Sequence, residues 1–196
     1  MSNTREEWLV AAVEEFRPMF ADAGFPLCSK IRVSCAFPTT FTRSGALGQA
    51  FPDGASADRA LEVMVAPSLD QPRDVVAVLV AQLCHATNGA LSHATVAYQK
   101  AAEAMGLEPV GVNWRVTRPT ALFDEAFGNI IAGLGDYPHA ALSAERPKTQ
   151  STRMLKAVCP SCGYIVRVSN KWAAKGLPVC GIDGDSFNIE SEEVAA

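Results

Sequence analysis

The sequence predicts an α+β fold, with helices packed on a small sheet, followed by a separate C-terminal module. Three observations predict it. Two short stretches, "KIRVSCAF" and "ALEVMVAP", alternate apolar and polar residues with the period of a strand. Around them lie stretches with apolar residues at helical spacing, among them the almost wholly apolar "VVAVLVAQLCHA". Beyond residue 143 that periodicity gives way to a basic segment carrying Cys159, Cys162 and Cys180. At 196 residues, with 48% hydrophobic and 19% charged residues, the chain can bury one core of ordinary size and still carry a small module. Such a composition excludes a disordered chain.

The elements follow in order. Thr4 with Glu7 three residues later forms a capping-box pattern. Trp8, Leu9, Ala12, Phe16 and Met19/Phe20 then fall on one helical face, and Pro18 is expected to kink or restart the helix. Ile31, Val33 and Cys35 mark one strand, and Leu61, Val63 and Val65 another. The Gly, Ser and Thr-rich stretch between them reads as a loop, with a short strand at "LGQAF". A helix starts near Pro72, with Asp70 or Ser68 as its cap, and stops at Asn88-Gly89. So apolar a helix is expected to be buried on most sides. A second helix, "HATVAYQKAAEAM", ends at Gly106, and a third runs from about Thr120 to Gly133 with Leu122, Phe123, Phe127, Ile130 and Ile131 on one side.

Pro, Gly and charge replace the periodic pattern in "GDYPHAALSAERPKTQ". The expected division is a body at 1–142, a linker at 143–152, a module at 153–190 and an acidic tail at 191–196. No apolar stretch approaches the ~20 residues needed to span a bilayer. "MSNTREEWLV" lacks the basic start and apolar run of a secretory signal, so a cytoplasmic protein with reduced cysteines is expected, with no membrane partner.

The net charge of −4 hides an uneven distribution. Residues 1–143 carry 10 Lys/Arg against 15 Asp/Glu, whereas residues 144–182 carry 7 basic residues against the single Glu145. The basic module suggests contact with a polyanion. Arg153, Lys156, Arg167, Lys171 and Lys175 are the candidate phosphate contacts, with Trp172 as a stacking partner or as an apolar anchor of the module's core.

"CPSCGYIVRVSNKWAAKGLPVCGIDG" is the most specific local signal in the chain. In Cys159-Pro-Ser-Cys162-Gly the two-residue spacing lets two thiolates reach one ion, and the glycine permits the tight turn behind them. "YIVRVS" alternates like a strand, and Cys180 returns after 17 intervening residues. That is the layout of a zinc ribbon, in which two knuckles face one another across a small sheet. A module of ~40 residues has too little core to fold alone, so a structural zinc ion has a clear purpose. The second knuckle lacks its second cysteine. Asp183 can supply a carboxylate oxygen as the fourth ligand, beside the alternatives of Asp185, a water or a vacant position. Three unmetallated core cysteines are the remaining reading.

"AQLCH", residues 81–85, has the outline of a zinc-peptidase helix. In H-E-x-x-H the two histidines lie on one helical face and share an ion, and the glutamate polarises the metal-bound water. Laid over that pattern, His85 is the second histidine, Ala81 stands at the first and Gln82 at the general-base position. Cys84 points about 100° away from His85 and reads as core.

The chain resembles the SprT-like family of minimal zinc metallopeptidases followed by a zinc ribbon, found in bacteria and phages and related to Spartan-type proteases. The resemblance covers nearly the whole chain: "KIRVSCAFPT", "ALEVMVAPSLDQPRDVVAVLVAQLCHA", "AMGL", "LGDYPHAAL" and "TRMLKAVCPSCGYIVRVSNKWAAKGLPVC". It implies a zincin-like core, an active helix with a third histidine ligand near the next helix, and hydrolysis of peptide bonds in proteins bound or crosslinked to DNA. Carried over by position, His85 matches the second ligand. His93 is the nearest candidate for the third, although aligning Tyr98 with the aromatic that follows that ligand puts Ala94 in its place. His139 belongs to the family's linker block and reads as structural or surface rather than as a ligand. Ala81 cannot bind metal, and Gln82 cannot take a proton from water. Two protein ligands hold a central zinc weakly, and loss of a general base alone costs roughly 10²–10⁴-fold in rate.

Ala81 and Gln82 fit natural decay to a pseudoenzyme, and also the substitutions used to inactivate such a site. The other departures, at 93–94 and 183, favour natural decay slightly. The expected protein is therefore a metallopeptidase fold impaired as written, acting by binding DNA or a DNA-bound protein. The alternatives are a peptidase inactivated in this chain, or a cleft that grips a host or phage protein without cutting.

Overall fold

The structure, a computed structural model, describes residues 4–87, 92–112, 114–143 and 154–189. They fall in two compact units, Met1–Arg146 and Pro147–Ala196. The expected stop at Asn88-Gly89, the candidate contact Arg153, the acidic tail and nearly all of the expected linker lie outside the described residues.

The first unit opens with helix α1, Arg5–Asp22, whose capping box is formed: Thr4 accepts from the Glu7 amide and Glu7 accepts from the Thr4 amide. The helix continues through Pro18 rather than breaking there. Phe16 and Phe20, one turn apart on either side of the proline, are both fully buried and hold the last turn in place. Strands β1 (Ile31–Cys35), β2 (Gly48–Phe51) and β3 (Leu61–Val65) form one mixed sheet in the order β1-β3-β2. β1 runs parallel to β3 and β2 antiparallel to it, with Val33 opposite Val63. A one-turn helix, α2, Phe41–Ser44, lies between β1 and β2.

The sheet has one dry and one wet face. Val33, Leu61, Val63 and Val65 join the core, while Arg32 and Glu62 pair on the other face beside Asp58. The Asp58 carboxyl is held below its usual range by the Ser56 hydroxyl, then by Lys30 and Arg32.

Helix α3, Pro72–Ala86, crosses the dry face. Val75, Val76, Leu79, Val80, Leu83 and Cys84 are buried, so tertiary packing holds a valine-rich stretch helical despite the modest helix propensity of valine. Neither expected cap is used: Gln71 is the N-cap and makes no side-chain cap bond. Asp70 instead accepts from the Gln71 amide group and from the Ala141 backbone. The helix also ends before the expected Asn88-Gly89. Thr87 is extended, bridges Leu27, and donates its hydroxyl to the Cys84 carbonyl.

Helix α4, Val96–Ala104, is capped by Thr95 and so starts later than the expected His93. A hairpin of β4 (Leu107–Pro109) and β5 (Thr117–Pro119) follows, unforeseen from the sequence, and then α5, Ala121–Leu134. Phe127 of α5 meets Phe16 of α1 edge to face at 5.1 Å. Gly106 makes the turn between α4 and β4 with φ +74°, where a Cβ would lie 2.4 Å from the Phe123 nitrogen.

The stretch from Gly135 to Leu142 is part of this unit. Tyr137 is buried against Trp8, whose indole donates to the Gly135 carbonyl. Arg5, only 7% exposed, donates to the carbonyls of Pro67, Pro138 and Ala140. His139, exposed and with φ +66°, lies within this strap.

The second unit is a three-stranded antiparallel sheet in the order β7-β6-β8, from β6 (Leu155–Val158), β7 (Ile165–Val168) and β8 (Asn188–Ile189). A short helix, α6, Asn170–Ala173, follows β7. Ala157, Cys159, Cys180 and Phe187 make its core, with Val166 and Leu177 against it. Trp172 is not the anchor: it is 58% exposed, and Phe187 fills that role.

Replacing Arg5 by Ala would take a donor from three carbonyls, of which Pro67 keeps the Leu142 amide. It should cost about 2–4 kcal/mol in urea unfolding and expose the strap to protease, with Arg5→Lys recovering only part of the loss.

Candidate metal centre and the cleft beside His85

Two turns of the second unit carry the same backbone pattern. In the first, the Cys159 amide donates to the Tyr164 carbonyl at 2.9 Å and the Gly163 amide to the Cys159 carbonyl at 3.0 Å. In the second, the Cys180 amide donates to the Asp185 carbonyl at 2.8 Å and the Gly184 amide to the Cys180 carbonyl at 2.9 Å. Gly163 and Gly184 both take positive φ, at +73° and +80°, which these turns require. Asp183 therefore stands in the second knuckle where Cys162 stands in the first. Asp185 is engaged elsewhere, accepting from the Ser161 hydroxyl.

The three sulfurs and an Asp183 oxygen all lie within 4.8 Å of one another, a group that could hold a metal ion. Cys159 donates to the two Asp183 oxygens at 3.3 and 3.4 Å, and the sulfurs of Cys162 and Cys180 are 3.6 Å apart. Hydrogen bonding from Cys162, and then from Cys180 and Cys159, draws the Asp183 carboxyl down to about 2 against its desolvation. A backbone hydrogen bond at Tyr164 pulls the Cys162 thiol down, but Asp183, desolvation and the two neighbouring sulfurs outweigh it and push the thiol up to about 12. Four donors of this kind crowd together as anions only around a cation, so the donor set suits a thiophilic divalent ion.

The first unit presents the other candidate site. Ala81, Gln82 and His85 lie on the last turns of α3, and the four-residue spacing puts Ala81 and His85 on one face. Ala81 is 7% exposed. The half-buried His85 ring stacks on Tyr98 of α4 with centroids 4.2 Å apart, and Trp114 meets Tyr98 edge to face. Burial raises the Tyr98 phenol above its ordinary value, and burial likewise raises the Cys84 thiol, which lies in the core as expected. His93 lies in the turn ahead of α4, half-buried. Among the described residues, no group of three or more His, Cys, Asp or Glu ligands forms around His85.

Gln82 is built into a backbone contact. A Cβ on Gly48 of β2 would lie 2.7 Å from Val78 Cγ1, 2.8 Å from Gln82 Cγ and 2.9 Å from Gln82 Nε2. Edge strand and helix thus approach as closely as a glycine permits, a constraint that no pattern around position 82 announces.

Of the candidate phosphate contacts, Lys156 and Arg167 sit directly opposite one another on β6 and β7. Their neighbours Ala157 and Val166 turn inward to the core, which leaves the pair on the outer face. Like charges in that arrangement cost stability. Lys171 and Lys175 bring their ammonium groups to 5.8 and 5.1 Å from the Trp172 ring centroid. No family model, no curated protein and no solved structure matches this chain. Among the described residues, no helix is long and apolar enough to cross a membrane.

Gly48→Ala should cost about 1–3 kcal/mol through overpacking. Adding Gln82→Ala should return part of that loss, a coupling read from a double-mutant cycle by urea unfolding.

Proposed function

We propose that the chain is a SprT-like protein with a zincin-like core, impaired as a peptidase, that acts by binding nucleic acid or a protein on nucleic acid. The exposed Trp172, with Lys171 and Lys175 at its ring on a basic module, is the observation that carries the binding reading. An indole left open to solvent between two cations offers a base a π-face and its phosphates two partners. Zinc is the ion proposed for Cys159, Cys162, Cys180 and Asp183, where it would order the module and turn over no substrate. The cytoplasm is the proposed compartment, since this centre needs reduced thiols.

Impairment follows from Ala81, which offers no ligand atom, and from Gln82, whose amide packs against Gly48. The runner-up is a zinc peptidase acting on DNA-bound proteins, with His at position 81 and Glu at position 82. It is favoured by the position of Ala81 on the same face as His85, where a histidine would share an ion.

Nucleic-acid affinity of the full chain should fall steeply with salt, by roughly 10-fold or more for each threefold rise if three or so phosphates are contacted. Lys171→Ala with Lys175→Ala should flatten that dependence, and Trp172→Ala should weaken binding at every salt concentration. Affinity unchanged between low and moderate salt would sink this reading. The peptidase reading is tested separately by Ala81→His with Gln82→Glu, assayed with zinc and a DNA-bound protein. Cleavage by that variant and not by the chain as written would favour it.

Zinc should bind at about one ion per chain at the ribbon. Because zinc must displace the proton that Cys162 retains at neutral pH, its affinity should fall as pH is lowered from about 8 to about 6, measured by competition with a chelator.

A further inference from the structure

We infer that Cys162 is a site of reversible oxidation, resolved by Cys180, so that one disulfide across the two knuckles expels the metal ion; this rests on reading the group as a zinc centre. The observation behind it is how the four donors divide. Cys159 is hydrogen-bonded to the Asp183 carboxylate, while the Cys162 and Cys180 sulfurs are in contact at 3.6 Å. Closing that gap to the ~2.05 Å of a disulfide takes a shift of under about 2 Å. Exposure separates Cys162 from the other two cysteines. Cys159 and Cys180 are 1% and 2% exposed, and Cys162 is open to solvent. An oxidant arriving from solvent meets Cys162 first.

Asp183 makes the outcome directional. A ribbon with four cysteines that loses its metal leaves two thiols on each knuckle and several ways to pair them. Here the fourth donor is a carboxylate, which peroxide does not oxidise, and the sulfur in contact with Cys162 is that of Cys180. The pairing this contact favours is Cys162 with Cys180, one from each knuckle.

The oxidant is hydrogen peroxide, a two-electron acceptor. In the zinc-loaded chain, where the ion would hold Cys162 deprotonated, its sulfur attacks one peroxide oxygen, the O–O bond breaks, hydroxide leaves, and Cys162 becomes a sulfenic acid. The Cys180 thiolate then attacks that sulfur, the S–S bond forms, the S–O bond breaks and a second hydroxide leaves. Counted from the protonated thiols, two thiols and one peroxide give one disulfide and two waters. The metal keeps Cys159 and Asp183, two donors where a structural site needs four. A dithiol reductant restores both thiols, and the centre reloads.

The test treats the zinc-loaded full chain with hydrogen peroxide, follows zinc release with a chromophoric chelator, and maps disulfides by mass spectrometry. Zinc release in step with a Cys162–Cys180 disulfide, reversed by dithiothreitol and added zinc, is the expected result. Release accompanied by a Cys159 disulfide, or by sulfinic acid at Cys162 without a bridge, would overturn the inference. So would zinc retained while Cys162 stays reduced. Because Cys162→Ser also removes a ligand, the informative variant is Asp183→Cys, which keeps four donors and should give mixed pairings where the natural chain gives one. A chain that holds no zinc at the outset overturns the metal reading instead. The peptide map of that chain still decides whether Cys162 and Cys180 pair.

Discussion

Enclosure of α3 on nearly every side orders the rest of the first unit around it. Its valines and leucines leave no long polar face, so the helix forms only where something covers each side. The sheet covers one side, and β2 comes close enough because Gly48 has no side chain. Tyr98 of α4 and the aromatics of α5 belong to the same core. Only Gln82 and His85 bring polar groups to its last turns, and each is absorbed into packing: Gln82 against Gly48, His85 against the Tyr98 ring. In a working peptidase of the proposed family those turns would carry ligands and a base.

The second unit meets the opposite problem. Four buried residues, two of them cysteines, are too little apolar surface to offset the entropy of ordering the segment. Order comes instead from two turns of one design, each ending on a glycine at positive φ and each presenting two donors to the same point. Without a cation the donors share protons, which is why the Asp183 carboxyl is drawn down while the Cys162 thiol is pushed up. A divalent ion resolves that competition by replacing the protons.

How much of this was legible in the sequence depended on how local the cause was. The strands at Ile31–Cys35 and Leu61–Val65 and the four long helices announce themselves by period, because burial on one face imposes it. The knuckles are legible because the x₂ spacing repeats with Asp183 in the place of a cysteine. The hairpin was not legible: its strands are three residues long and end in Pro109 and Pro119, which argue against a strand. The strap from Gly135 to Leu142 has the composition of a linker, and residues distant in sequence, Arg5 and Trp8 above all, make it part of the body. Trp172 misled because a tryptophan in a small module suggests core. Phe187 lies beside the second knuckle and reaches that position first.

The two candidate metal positions also differ in what a substitution does to them. A structural centre needs four donors that neutralise the ion and close around it, and a carboxylate serves where a thiolate stood. A catalytic centre needs three protein ligands, an open fourth position and a base placed on the water. Asp183 completes a set of four donors in the second unit, whereas under the proposed family reading Ala81 would lower the donor count on the helix and Gln82 would remove the base. One substitution is chemically conservative and the others are not, although all alter only a side chain. On the proposed reading a binding module can therefore outlast a cutting machinery in one chain, since the fold of the first unit rests on the packing of α3.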